Sequence, residues 1–430
     1  MTITVSGFDA ALKQLYSDKN VASTTLKHRP LLGTITKNEG FGGRNMPILN
    51  AYGDGQGRSA SFAAAQANIS GAKIEDFLLT RVSNYSLARV TGEAAESSKG
   101  DKVAFLSAMK TAIDGAMNVL ANNLETQLFR SGTGTIATVG AIATGAPFSS
   151  LTLGEQEDVV NFEVNQKLIF SDADAGVTRS AGALTVKAVN RSTGFIEFVE
   201  EETGTIAADN CSLDTANVAN GDFIYTEGDT SATTAAVASS RTCISGLAAW
   251  VPAASPAALE SFFGVDRSVD SRMYGQTVNG TSGDLEDALI NGASVSARIG
   301  GAPDVCFINH VQMRALISSL RGSQQYSSVN AQTHKGQVAD IGYRSVAVQG
   351  DNGVVNVVAA NKCQPEIGWM LEKSTWTLHT LGPATKFLML DNQRILRTSS
   401  DDSYEVRLGF RGNVACTKPM HNVHITLPAV

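Results

Sequence analysis

Residues 44–100 read RNMPILNAYGDGQGRSASFAAAQANISGAKIEDFLLTRVSNYSLARVTGEAAESSKG, and residues 101–134 continue DKVAFLSAMKTAIDGAMNVLANNLETQLFRSGTG. Two patterns meet here. The first is an extended, Gly-punctuated hairpin tipped by Gly53-Asp54-Gly55-Gln56-Gly57, whose three glycines permit positive φ and a mobile turn. Pro47 to Tyr52 is read as its rising strand and Ser59 to Ser70 as its descending one, with further strand sequence from Phe77 to Val90. The second is a helix over 101–130. Leu106, Met109, Ile113, Met117, Leu120, Leu124 and Leu128 recur at steps of three and four, Asp101 supplies an N-cap and Gly132 a C-cap. The helix can anchor a core. The hairpin, rich in Gly, Ala and Ser, cannot stand alone, and an arm of this kind is expected to lie on a neighbour.

The rest of the composition agrees with a covered surface. The chain has 430 residues, enough for two to four domains. Only 17% are charged, below the ~25% usual for soluble domains. The net charge of −7 gives no bulk attraction to nucleic acid. Charge is uneven, however. Residues 1–45 carry six Lys or Arg against three acids, and residues 165–228 carry four against ten. Any polyanion would therefore meet the N-terminal segment. The five Cys (Cys211, Cys243, Cys306, Cys363, Cys416) have no C-x-x-C spacing and read as free thiols in a reducing compartment. No secretory signal opens the chain, and no apolar run approaches ~20 residues.

Outward from the hairpin, residues 1–45 read as an arm with a short helix between Phe8 and Tyr16 and a hinge at Gly40 to Gly43. Residues 165–228 read as all-β: strands Lys167 to Phe170, Leu184 to Val189, Phe195 to Phe198 and Phe223 to Tyr225, spaced by turns, form a compact acidic insert. Residues 240–365 turn α/β, with helices at Pro256 to Phe263, Asp284 to Arg298 and His310 to Leu320. Strands follow at Val305 to Ile308, Ser345 to Val348 and Val354 to Val358. Near the end, Tyr404, Val406, Leu408 and Phe410 alternate with charged residues, the mark of a strand buried on one face.

Chemistry is sparse. The Gly runs match neither G-x-G-x-x-G nor a P-loop. His421 and His424, three apart on a strand, point to opposite faces and read as packing residues rather than ligands. Asp172-Ala173-Asp174-Ala175-Gly176 lacks the closing Glu of a calcium loop. Glu200-Glu201-Glu202 and Asp401-Asp402 read as solvated acids without a partner base, and no G-x-S-x-G occurs. No cofactor or metal is expected, and no enzyme. Trp369 and Trp376 read as core or interface anchors.

The order of parts resembles the major capsid proteins of tailed double-stranded DNA phages, the Hong Kong 97-type fold. The resemblance runs from the hinge at Gly40 to Gly43 through the Gly-rich tip and Ser59-Ala60-Ser61-Phe62-Ala63. It continues through Phe77-Leu78-Leu79-Thr80, Glu93-Ala94-Ala95-Glu96-Ser97 and the helix ending Leu128-Phe129-Arg130-Ser131-Gly132-Thr133-Gly134. Late in the chain, Lys373 to Leu378, Ser403 to Arg407 and Gly412-Asn413 match returning strands.

That resemblance implies an α+β Hong Kong 97-type capsid fold. Its parts would be an N-arm (1–45), an E-loop (46–95), a P-domain with a long spine helix (96–150), an inserted β-rich domain (151–232), an A-domain (233–365) and returning P-domain strands (366–430). It also implies a coat protein that self-assembles into hexamers and pentamers of an icosahedral shell packaging double-stranded DNA. Such a protein resides in the virion capsid and assembles in the host bacterial cytoplasm. Tyr52, Asp54, Arg58, Phe62, Phe77, Arg81 and Arg44 become the candidate inter-subunit contacts. The chain opens directly at the arm, so a scaffolding protein is expected to be separate. A portal, a decoration protein and weak, nonspecific contact between the arm and packaged DNA are the other implied partners, with no membrane. Crosslinking members of the family join a loop Lys to an Asn. Here the tip carries Arg58, and Lys73 is read as lying well away, so no covalent crosslink is expected. Two rivals stay open: an encapsulin-like bacterial nanocompartment shell of the same fold, and another virion structural protein of the tail or a decoration layer.

Overall fold

The computed structural model describes residues 29–91, 102–142, 150–179, 183–199, 218–229, 241–258, 260–323, 346–389, 393–398 and 401–430; side chains are described from 110 onward in the long helix and up to 320 in the helix that ends at Ser323. The readings at Phe8 to Tyr16, Glu93 to Ser97, Asp101, Glu200 to Glu202 and Cys211 lie outside these residues, as do the side chains of Leu106 and Met109. The chain forms two compact units. The first holds the described residues up to Trp250, Ser261–Asp266 and Trp376–Thr417; the second holds Val251–Glu260, Arg267–Thr375 and Lys418–Val430.

The first unit is built on one helix, Lys102–Phe129, whose 28 residues run ~42 Å. Ile113, Met117, Leu120, Leu124 and Leu128 are each 3% exposed or less, so the stripe legible in the sequence is the buried face. The helix stops where Gly132 and Gly134 take φ of 90° and 96°. A Cβ on Gly134 would stand 2.7 Å from the Asp229 carbonyl oxygen, so both conformation and space require glycine. Over the helix lies a six-stranded sheet centred on the 14-residue strand Ser403–Cys416. Val82–Thr91, Trp376–Thr380, Lys386–Phe387 and Ile395–Arg397 all pair antiparallel with it, and Thr36–Asn38 adds in parallel to Trp376–Thr380. Val406, Leu408 and Phe410 are buried, as their alternation requires.

A closed barrel follows the helix. Its strands are Thr135–Ile142, Ser150–Leu153, Lys167–Ser171, Leu184–Asn190, Phe195–Phe198 and Phe223–Thr226. The last four match the sequence reading; the first two start the barrel ahead of residue 151. Strand Thr135–Ile142 is rich in β-branched residues, with Gly140 near its end. Gly140 sits there because a Cβ would meet the Leu153 carbonyl oxygen at 2.4 Å. Leu168, Phe170, Val186, Ile196, Phe198 and Ile224 fill the interior. Closure leaves the barrel no free edge.

The second unit is a six-stranded mixed sheet in the order Gln276–Asn279, Val423–Thr426, Ile367–Leu371, Val305–Ile308, Gly353–Ala359, Val346–Gly350. Helices Leu285–Arg298 and His310–Ser323 accompany it, and Leu289, Leu316, Val355, Met370 and Ile425 form its core. Residues 366–430 therefore do not return as one group: Ile367–Leu371 and Val423–Thr426 belong to this sheet, because their all-buried apolar runs need cover on both faces. The helix expected over Pro256 to Phe263 is absent. Ser261–Phe262 and Val265–Asp266 instead make a minimal hairpin within the first unit. Trp369 and Trp376 are each 1% exposed and serve as core of their own units.

Candidate assembly surface

The hairpin is a two-stranded sheet. Asn45–Gly53 pairs antiparallel with Lys73–Thr80, and no third strand joins it among the described residues. The descending limb thus begins at Lys73, not at Ser59. The segment read as descending strand instead holds a six-residue helix, Phe62–Ala67, whose Ala-rich sequence favours helix. Ser70 closes the tip: its amide donates to the Gln56 carbonyl at 2.9 Å, and its hydroxyl accepts from the Gln56 amide at 3.2 Å. Lys73 stands opposite Gly53, at the mouth of the tip, and not remote from it.

Strand alternation gives the hairpin two faces. Ile48, Asn50, Phe77 and Leu79 point inward and are buried. Pro47, Leu49, Ala51, Ile74, Asp76 and Leu78 make the outer face, where Leu49 is 67%, Ile74 56% and Leu78 44% exposed. At the tip Phe62 is 84% and Ile69 71% exposed, and the tip helix buries no side chain at all. Isolated helices shorter than ~12–15 residues are marginal in water, and so are two-stranded hairpins. Apart from Phe62, these exposed apolar residues were missed in the sequence, where the arm read as poor in large apolar side chains; the signal for the outer strand face is the alternation of Pro47, Leu49 and Ala51.

The sequence-predicted contacts divide. Asp54, Arg58, Phe62 and Arg44 are exposed and Tyr52 half-buried along the hairpin. Arg81 is half-buried, its guanidinium carbon 5.9 Å from the centre of the Phe41 ring. Phe77 is a correction: it is fully buried in its own unit, edge-on to Trp250 at 5.2 Å and Phe262 at 6.1 Å, and has no surface to offer a neighbour. Alternation puts it opposite Ile48 on the inner face.

A second exposed face lies on the central sheet. Tyr85 and Leu87 are 51% and 56% exposed, on the same side as Arg89. Across the ladder Leu87 stands opposite Arg407 and Arg89 opposite Glu405. Arg89 bridges Asp401 at 3.0 Å and Glu405 at 3.6 Å, while the Arg411 guanidinium lies 5.9 Å from the Tyr85 ring centre. Arg407 pairs with Glu405 as well, so Tyr85 and Leu87 are exposed among arginines that are largely matched by acids.

Residues 29–43 do not swing free. Leu31 and Leu32 are buried, and their amides both donate to the carboxylate of Glu125 on the long helix, at 3.0 and 2.9 Å. Arg29 reaches the Asn122 side chain at 2.9 Å; burial lowers its pKa, against the opposing pull of Glu125. The expected hinge is docked as well: Gly40 bridges Leu381, and Phe41 is fully buried, with its amide on the Thr380 carbonyl at 3.2 Å.

The catalytic and metal candidates come apart. Among the described residues no group of three His, Cys, Asp or Glu could hold a metal ion. His421 contacts Glu372 at 2.8 Å, while His424 packs edge-on against Trp369 at 4.9 Å and burial lowers its pKa to about 4. Asp174 accepts the hydroxyls of Thr133 and Thr135, which closes its loop internally. Cys243, Cys306, Cys363 and Cys416 are free and buried, and burial pushes the Cys306 thiol up to about 12. No helix among the described residues is long and apolar enough to cross a membrane.

No protein-family model matches the chain, and no curated protein matches its sequence. Solved structures do. The capsid asymmetric unit of cyanophage A-1(L) aligns with a TM-score of 0.54 over 94% of this chain and 93% of that one, at 11% identity. A structure from Mycobacterium phage Bobi aligns at 0.42 over the full length of both chains with 10% identity. The capsid of a native GTA particle aligns at 0.42 over 94% and 92% with 8% identity. The first of these carries the fold assignment. The chain has the fold of that phage capsid protein.

Proposed function

We propose that this protein is the major capsid protein of a tailed phage, assembling as hexamers and pentamers into an icosahedral shell around double-stranded DNA. The observation that carries the reading is the hairpin: Leu49, Ile74, Leu78, Phe62 and Ile69 are exposed on its outer face and tip, which no described element of the subunit covers. In the proposed shell, the outer face of one copy's hairpin lies over the Tyr85–Leu87 face of the next. Asp54 and Asp76 then approach Arg407 and Arg411. Tyr52, Arg58 and Arg44 supply the polar margin.

The mechanism is differential burial. The tip helix and the outer face leave water only on a neighbour, at ~25 cal/mol per Å², so ordering of the arm is coupled to assembly. Weak contacts repeated by symmetry sum to a closed shell. A separate scaffolding protein, a portal and a decoration protein complete the proposed partners, with weak contact between the basic N-terminal segment and DNA.

The test is electron microscopy of the purified protein beside Leu49→Asp and Phe62→Asp. Both positions are solvent-exposed, so circular dichroism and melting of the subunit are expected to stay unchanged while shells disappear. Normal shells from both variants would remove the hairpin from the contact. Tubes from the wild type would favour a tail protein instead, and shells loaded with an enzyme would favour a nanocompartment.

A further inference from the structure

The base of the hairpin is held by a turn in an unfavourable conformation. Ser261–Phe262 and Val265–Asp266 are joined by Phe263 and Gly264, with φ of 50° and 89°. Two consecutive positive φ values are the pattern of the tightest hairpin turns, which ordinarily take Asn-Gly or Gly-Gly. A bulky aromatic residue there is an outlier that persists only when its surroundings over-determine it. Those surroundings are visible. The Phe263 ring lies 4.5 Å from Phe262 and 5.9 Å from Trp250, and Trp250 is tied to the central strand by its indole N–H on the Val414 carbonyl at 3.1 Å. With its ring so placed, the Phe263 carbonyl accepts the Leu78 amide at 2.9 Å. That amide is thus spent on the turn and not on the partner strand, where Leu78 stands opposite Pro47. Phe77, the next residue, closes the same aromatic cluster. Outward from there the hairpin has only its own two strands.

We propose that the Phe262-Phe263-Gly264 turn is a latch that fixes the hairpin's angle to its subunit, and that release of the strained turn frees the hairpin to swing toward a neighbour. Latched, the Phe263 carbonyl holds Leu78 and the aromatic cluster holds Phe77. Released, the turn relaxes, the Leu78 amide returns to water and the hairpin pivots at Thr80 and Asn45. The latch itself stands on the isolated subunit; its role in shell formation rests on the function proposed above.

Gly264→Val tests it. A Cβ at Gly264 meets no atom closer than 3.9 Å, so the substitution acts through the backbone conformation and not through a clash. Hydrogen exchange on the unassembled subunit is expected to speed at least tenfold for the amides of 73–80. Exchange in helix residues 113–128 and strand residues 403–416 is expected to hold its wild-type rate. Unchanged exchange in 73–80, or an equal rise across the whole unit, overturns the latch and leaves an ordinary core turn. Leu78→Pro, which removes the bridging N–H together with the exposed Leu78 side chain, gives a second exchange reading if Gly264→Val fails to fold, with the same two outcomes. Electron micrographs then test the regulatory part. Gly264→Val is expected to form shells of mixed size, and uniform wild-type shells despite tenfold faster exchange would overturn it. A wild type that makes no shells would refute the proposed function while the exchange result still decides the latch.

Discussion

Asp229 shows what burial does to one carboxyl. Desolvation raises it from an ordinary 3.8 to about 6, against a lowering hydrogen bond from the Asn123 side chain. The folded form therefore binds this proton more tightly than the unfolded chain. The stability it confers is complete below pH 3.8 and is lost as pH rises through about 6. Urea titrations of the first unit are expected to show wild type losing up to ~3 kcal/mol between pH 4 and pH 7 from this group. Asp229→Asn should flatten that slope, and an unchanged slope would place the titration elsewhere. Glu125 is the opposite case, a buried carboxylate fully used by two amides. Glu125→Gln keeps the shape but offers one carbonyl oxygen for two donors. It is expected to cost ~1–3 kcal/mol in chemical denaturation and to expose residues 29–34 to protease first. Neither residue could be singled out from sequence: each is a lone acid whose role depends on chain segments far away in the sequence.

At the scale of elements, legibility follows length and period. The long helix was readable because seven apolar residues from Leu106 to Leu128 keep one face over about six turns. The barrel strands from Lys167 to Thr226 were readable because turn residues punctuate them. The tip helix was not, because Phe62–Ala67 has no inward face: an amphipathic pattern exists only where a core exists to impose it, and this helix buries nothing. The latch hairpin was illegible for another reason. Two residues per strand carry no period, and the sequence Phe-Phe-Gly gives no warning of positive φ at Phe263. The outer hairpin face is the part of the candidate site that alternation did encode, through Pro47, Leu49 and Ala51. Phe77 was placed on the wrong face because Phe77 to Val90 read as one strand. Lys73–Thr80 and Val82–Thr91 instead break at Arg81 and join different sheets.

At the scale of the whole molecule, the barrel is a closed body set into the chain of the first unit. It is tied to the long helix by the buried pair of Arg130 and Asp158, 2.7 Å apart, with Arg130 also donating to the Ile136 carbonyl at 2.9 Å. Both acceptors belong to the barrel side. Removing the barrel strands that Arg130 relies on would leave a buried guanidinium without its anion, a loss of ~3–5 kcal/mol. A chain in which a ~two-residue linker replaces 135–228 is expected to fold with that deficit, and Arg130→Leu in the same chain is expected to recover most of it. Thermal melts of the two chains decide this; an unfolded product from both would make the barrel part of the unit's folding core.

The geometry that permits this excision is the contact of Gly134 with Asp229, so close that a methyl group would not fit between them. The chain departs from and comes back to almost the same point, so the barrel is a loop in the topological sense. Its size, charge and outward surface are open to change by recombination or by engineering, provided that Asp158 and the Ile136 carbonyl still meet Arg130. A shell built from such subunits would carry a graftable socket at every copy, beside a glycine whose missing side chain keeps the two ends together.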